Sequence, residues 1–386
     1  MIVVNLSEMP WTAELRRNAA IFRELVRAGS PYDGGIFVAP VDRLDRRATL
    51  GVRLAAGRQN FHVGDAMSDG VELKSYAPTM MLPMSNRRAV ERAQLELFYR
   101  VIRRALRGEP FGLWINCVEE ATLALAEVLA QHATHVVLDM SDDWTAFDDH
   151  DPAARDRRVA RAIEMSDALI AVNEHVLAKF PHPHARVFAN ATDFANFQKR
   201  DRHYVLADVL PKQPGTKLVG FSGGLNVGRV DEALVDRLIA ELPDAHFVFV
   251  GYTNSPELVA RITSHANVRV LPAVPFRDLP HVIKSFDVAI VPHAINEHTR
   301  GNDLLKVLDY MASGVPIVST DCSNVRKYGA AIEVADSHAD FIARVRAILD
   351  GKPHDPAPGL AAARDASWSH KVPELARWLD ETLGTR

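Results

Sequence analysis

The chain has 386 residues, of which 47% are hydrophobic and 24% charged, with a formal net charge of −4. That length exceeds what one core usually fills and implies two domains. The near-neutral balance argues against a polyanion binder and so against a nucleic-acid partner. Two cysteines, Cys117 and Cys322, are too few for a disulfide framework or a metal cluster and suit a reducing cytoplasm.

The first residues, "MIVVNL", read as a strand; the run is too short for a signal peptide and lacks a basic leader. No segment approaches the ~20 apolar residues of a membrane span. After the first strand comes "NLSEMPWTAELRRNAAIFRELVRAG", a loop running into a helix, with Trp11 in the loop. Trp11 either stacks on a ligand ring or packs at the helix entrance. Further strands are expected at "GGIFVAP", "FGLWINC", "THVVLDM", "ALIAV" and "ARVFAN". Near-continuous apolar strands separated by helices indicate parallel sheets covered on both faces.

Between the second and third of these strands lies "SNRRAVERAQLELFYRVIRRALRGEP". It predicts a helix with an apolar stripe of Val90, Leu97, Val101 and Leu106, and with Arg87, Arg88, Arg92, Arg100, Arg103, Arg104 and Arg107 along it. A basic amphipathic helix either covers a sheet with its arginines in water or lies on an anionic membrane surface. The second possibility places residues 85–108 at the membrane.

"LDMSDDWTAF" follows the fourth strand and sets Asp139, Asp142, Asp143 and Trp144 at its carboxyl end. Asp139 is expected to be buried in the strand. Asp143, with Asp142 as its rival, is a candidate general base; the alternative is a solvated acidic run continuing through Asp148, Asp149 and Asp151.

In "FANATDFANF", Asn190 and Asp193 read as turn formers. "FQKRDRHYVLADVLPKQPGTK" then breaks the pattern with Pro211, Pro214 and Gly215 and reads as a linker. A second strand series follows, at "KLVGFSG", "HFVFVGY", "NVRVLPA", "VAIVPH", "PIVST" and "AAIEVA". The expected domains are 1–205, 206–365 and a tail helix, 366–386, with apolar spacing at Val372, Leu375, Leu379 and Leu383 and with Trp368 at its start.

In such folds ligands sit beyond the carboxyl ends of the strands. "FSGGLNVGRVD" has Gly223, Gly224 and Gly228 there, with Arg229 as a charge for a phosphate. It is neither a Walker A loop nor GxGxxG. Gly251 and Tyr252 end the next strand, and Val274 and Phe276 follow the third; an aromatic here stacks on a base or joins the core. "NEHTRGNDLLKVLDYMASGVPIVSTD" predicts a helix from an Asn302 N-cap to Ser313, stopped by Gly314 and Pro316. Its amino end, with Thr299, Asn302 and Leu305, offers free amides to an anion, and Lys306 adds a charge. Asp309 shares a face with Lys306 and is suited to the two hydroxyls of a ribose. Diphosphate and ribose together indicate a nucleotide; the other reading is a capped helix with a solvated Lys306–Asp309 pair.

From Lys217 to Thr320 the chain resembles the C-terminal half of GT-B glycosyltransferases of the family 4-like, group 1 type. The matching motifs are "FSGGLNVGRVDEAL", "NVRVLPAVPFRDLPHVIKSFDVAIVPH" and "NEHTRGNDLLKVLDYMASGVPIVST". Within that family the subgroup with teichuronic-acid-type and xanthan-type enzymes is the nearest likeness, and "LLKVLDY" resembles the donor helix of xanthan glucuronosyltransferase. The resemblance implies two Rossmann-like doubly wound α/β domains facing a cleft, with a C-terminal helix crossing back to the first. It implies a nucleotide-sugar donor, UDP by default, at Gly223, Gly224, Arg229, Gly251, Tyr252, Val274, Phe276, Thr299, Asn302, Leu305, Lys306 and Asp309. It also implies a glycan or polyprenyl-diphosphate-linked acceptor at Trp11 and Trp144, no metal and no cofactor. The implied location is the cytoplasm, at the inner face of the plasma membrane. Gly301 stands where the wider family has the first of two glutamates eight residues apart. Inversion and retention both stay open, with this departure favouring inversion. A nucleotide-sugar epimerase and a non-catalytic nucleotide-sugar-binding scaffold are the alternatives.

Overall fold

The structure is a computed structural model, and it describes residues 1–10, 17–28, 31–43, 50–68, 71–80, 88–145, 151–198, 215–296, 299 and 303–384. Two compact units divide the chain: Met1–Ala189 with Val372–Arg386, and Asn190–Lys371. The linker boundary expected at 205/206 lies outside the described residues.

Unit 1 is built on an eight-stranded sheet. Its strands are β1 (Ile2–Ser7), β2 (Gly34–Val38), β4 (Gly64–Ser68), β5 (Val71–Tyr76), β7 (Phe111–Asn116), β8 (Val136–Met140), β9 (Ala168–Ala171) and β10 (Ala185–Val187), in the order β10-β9-β8-β7-β1-β2-β5-β4. All pairs are parallel except β4 with β5. A small two-stranded sheet joins β3 (Asp42–Arg43) to β6 (Thr79–Met80). The buried residues of β7 and β8 explain why these segments are strands: every side chain meets protein on one face or the other. Each fully buried Val, Leu, Ile or Phe contributes roughly 1.5–3 kcal/mol.

The arginine-rich helix spans Arg88–Leu106. Leu95, Phe98, Tyr99, Ile102 and Leu106 are its buried face. This corrects the stripe read from sequence, which had Val90, Leu97 and Val101 in that role. Those three residues flank the face and are only half-buried. Arg92, Arg100, Arg103, Arg104 and Arg107 are exposed.

Unit 2 holds a six-stranded, wholly parallel sheet: β11 (Lys217–Ser222), β12 (Ala245–Val250), β13 (Val268–Leu271), β14 (Val288–Val291), β15 (Ile317–Thr320) and β16 (Glu333–Ala335). Their order is β13-β12-β11-β14-β15-β16. The chain winds outward from β11 in one direction and from β14 in the other, so the switch point lies between those two strands. The last helix, Trp368–Leu383, begins in unit 2 and ends in unit 1. Val372, Leu375 and Leu379 are buried as their spacing predicts. Among the described residues no helix is long and apolar enough to cross a membrane.

Candidate active site

At the switch point of unit 2, β11 ends in the turn Ser222–Gly224. Gly223 has φ +131°, and a Cβ there would lie 2.8 Å from Lys306 Nζ. Gly251, after β12, has φ +148°, and its Cβ would strike the Gly223 carbonyl oxygen at 2.2 Å. Both positions therefore require glycine, for conformation and for space. Backbone bonds from Gly223 N to Val250 O (2.8 Å) and Leu225 N to Tyr252 O (2.8 Å) hold the two turns together.

Lys306 stands beneath this turn. It lies on the helix Leu305–Ser313, which starts after Leu304 and not after Asn302. Asn302 itself lies outside the described residues, as does Trp11. Thr299 is fully buried, and its hydroxyl donates to Ala294 O at 2.6 Å, so it is tied back to the chain that follows β14. Gly314 ends the helix at φ 71°, as predicted. Tyr310 fastens helix to turn: its phenolic oxygen accepts from Ser222 N at 2.6 Å.

The ammonium of Lys306 is 3.1 Å from His293 Nε2 and 4.1 Å from the centre of the Phe221 ring. Among the described residues no carboxylate is within ion-pair distance of it. Burial, and then the charge on Arg229, bring the Lys306 pKa down to about 7; Cys322 acts weakly in the opposite direction. A lysine held this way, beside a glycine turn and within the field of the Arg229 charge, is suited to receive an anion.

Asp309 does not stand beside Lys306 on an open face. It is buried and accepts from the Thr192 hydroxyl at 2.6 Å. Burial pushes its carboxyl up to about 7, against the Thr192 bond. Asn190 is also more than a turn former. Its backbone N donates to Asp303 Oδ2 at 2.7 Å, and its side chain donates to Asp303 O at 2.9 Å. Asp303 in turn pairs with Lys327 at 3.0 Å.

Tyr252 is 62% exposed beside the turn, so its ring is open to a ligand. Val274 and Phe276 pack partly against the core, with Phe276 edge-on to Phe197 at 5.8 Å. Leu305 and Gly224 are half-buried at the rim.

The acidic loop of unit 1 presents its two carboxylates differently. Asp143 is 6% exposed; one oxygen pairs with Lys179 at 2.8 Å, and the other accepts from Thr145 Oγ1 at 2.6 Å and Thr145 N at 3.0 Å. Burial raises its pKa, but these donors outweigh it and hold the carboxyl below its ordinary range. Asp142 is half-buried and accepts from Asp143 N at 3.0 Å. Trp144 packs in the core of unit 1 and offers no open ring face, which corrects its expected role in acceptor stacking.

Asp139 is fully buried, as expected, and Arg17 reaches it with Nε at 3.1 Å and Nη2 at 2.9 Å. Beside it, Asn18 bridges Ser7 at the end of β1 and Asn116 at the end of β7 (2.9 and 2.6 Å). Sequence reasoning missed this cluster, together with His293, Tyr310 and Thr192. The available signal was their place at a strand end for Ser7 and Asn116, and just past one for His293.

Residues 217–351 match the family model described as glycosyl transferases group 1. A Bacillus subtilis protein, provisionally assigned as the teichuronic acid biosynthesis glycosyltransferase TuaH, is 26% identical over 161 residues. That alignment covers 40% of this chain and 39% of the relative's length. Among solved structures, Anabaena HepE in complex with UDP and glucose superposes with a TM-score of 0.65 at 13% identity over 100% of both chains. An Escherichia coli trehalose-6-phosphate enzyme bound with UDP-2-fluoro glucose gives 0.68 at 10% identity over 99% of both chains. These likenesses establish the GT-B fold.

Proposed function

We propose that residues 217–351, which match the group 1 glycosyltransferase model, are a donor-binding domain and that the chain moves a sugar from a nucleoside-diphosphate donor, a UDP-sugar, to a hydroxyl acceptor. The acceptor class is a glycan or lipid-linked oligosaccharide in polysaccharide assembly, in keeping with the assignment of the B. subtilis relative. The observation that carries the reading is Lys306: a half-buried ammonium under a glycine turn, without a carboxylate among the described residues and with Arg229 nearby.

Bond cleavage at the anomeric carbon leaves negative charge on the diphosphate. Lys306, Arg229 and the first-turn amides of the helix Leu305–Ser313 stabilise that charge in position, before the reaction begins. Tyr252 serves the base by stacking. The acceptor hydroxyl must lose a proton, and Asp142 and Asp143 are the candidate bases. Asp142 ranks ahead of Asp143 here, because Lys179 and Thr145 hold Asp143 as a carboxylate of lowered pKa and so a weaker base. A base of this kind contributes about 10²–10⁴-fold. The exposed arginines of the helix Arg88–Leu106 extend the reading to an anionic membrane surface that presents the lipid-linked acceptor.

The test incubates the protein with a panel of nucleotide sugars and polyprenyl-diphosphate-linked acceptors, beside Lys306→Met. Acceptor glycosylation by the wild type and its loss in the variant are expected. Conversion of donor without any acceptor would indicate an epimerase instead. Binding without turnover across the panel would indicate a scaffold.

A further inference from the structure

Lys306 has an unusual set of neighbours for a lysine at an anion site. Phe221 from β11 covers it with a ring face, His293 just past β14 offers a ring nitrogen, and Arg229 from the loop after β11 adds a second positive charge. Among the described residues Cys322, just past β15, is a further titratable neighbour, and its thiol is itself pushed up by burial. When Lys306 is protonated its ammonium must donate in the 3.1 Å contact, so His293 accepts on Nε2; when the amine is neutral either nitrogen can be the donor. His293 is 1% exposed, and its backbone oxygen accepts from Thr320 Oγ1 at 2.7 Å, which fixes the residue. Among the described residues these surroundings hold the amine in place without a carboxylate to balance its charge, and a ligand phosphate would supply one.

We infer that His293 is a positioning residue that keeps Lys306 as a proton-accepting anchor, so that a donor diphosphate and a proton bind together at this site. The inference rests on the donor-site reading above. When the diphosphate arrives, solvent or buffer delivers a proton to Nζ, a new N–H bond forms, and the resulting ammonium pairs with the phosphate oxygens. The buffer is left one proton poorer, and nothing is oxidised or reduced. Donor affinity therefore weakens as pH rises above neutrality, although the diphosphate itself is fully ionised there.

The experiment is calorimetric titration of UDP into the full chain at pH 8, in two buffers of different ionisation enthalpy. With Lys306 titrating near 7, binding takes up about 0.9 proton at pH 8, and the apparent Kd rises roughly tenfold between pH 8 and pH 9. Lys306→Arg keeps a cation that cannot lose its proton, so it binds UDP with no uptake and a flat pH profile. His293→Gln retains an acceptor and stays within about threefold of wild type. His293→Leu, folded by circular dichroism, weakens UDP by about tenfold or more. Wild-type binding at pH 8 without buffer dependence, or equal uptake in Lys306→Arg, would overturn this inference and leave the donor site standing. No UDP binding at pH 6 or pH 8 would remove the donor-site reading and this inference with it.

Discussion

Gly223→Ala isolates the contact on which the donor site depends. The residue sits at φ +131°, where an L side chain is strained by about 1–3 kcal/mol. The new Cβ would also lie 2.8 Å from Lys306 Nζ and 3.1 Å from its Cε. The lysine is flexible and yields, so the contact adds little to the folding cost but displaces the amine from the turn. For a unit of this size the strain lowers Tm by roughly 2–4 °C per kcal/mol. Losing a charge-assisted hydrogen bond to phosphate costs a further ~1.5–3 kcal/mol in binding, about ten- to a hundredfold in Kd. Gly351→Ala is the control: φ is +99°, and nothing lies within 4 Å of its Cβ. It should lose stability by a similar amount and keep UDP affinity. Thermal unfolding and calorimetry on the two variants separate strain from contact. If Gly223→Ala bound UDP within about threefold of wild type, the geometry assigned to Lys306 would be refuted.

Replacing Asp142 by Asn should lower turnover at least ~10²-fold with donor binding retained. Asp143→Asn, which breaks the Lys179 pair, should act mainly on stability, and the reverse ranking in a transfer assay would exchange their roles. Asp309 has its folded pKa raised from 3.8 to about 7, so the folded state binds the extra proton between those values. Stability therefore falls as pH rises through that window, by on the order of 4 kcal/mol. Asp309→Asn keeps an acceptor for Thr192 and should abolish this decline in pH-dependent denaturant melts; an unchanged profile would contradict the assignment. Lys306 acts in the opposite sense, destabilising below about pH 7 and less so as pH rises toward 10.5. Sedimentation with anionic vesicles should be strong at low salt, weaken at high salt, and fall when Arg100, Arg103 and Arg104 become Gln; indifference to salt would count against a membrane face.

Strands such as β7, β8 and β14 were legible in the sequence because both their faces are buried and their apolar runs are unbroken. The hairpin β4–β5 was not, because "GDAMS" at the sheet edge has neither an apolar run nor β-branched residues. Glycine turns and Lys306 were visible as residue types at strand ends. Their partners were not: Thr192 meets Asp309 across 117 positions, and Arg17 meets Asp139 across 122. The start of the Lys306 helix was misread because Asn302 is a good cap by type, whereas the helix begins after Leu304 without a side-chain cap. Helix ends follow tertiary bracing as much as local propensity. Trp144 shows the same limit, since an aromatic next to two aspartates can as well fill a core as face a sugar.

A crystal structure of the chain with UDP shows directly whether a diphosphate sits under the Gly223 turn against Lys306. Phosphate oxygens within hydrogen-bond distance of Lys306 Nζ and Arg229, with the base beside Tyr252, are expected. UDP bound elsewhere, with the Lys306–His293 contact undisturbed, would contradict that placement.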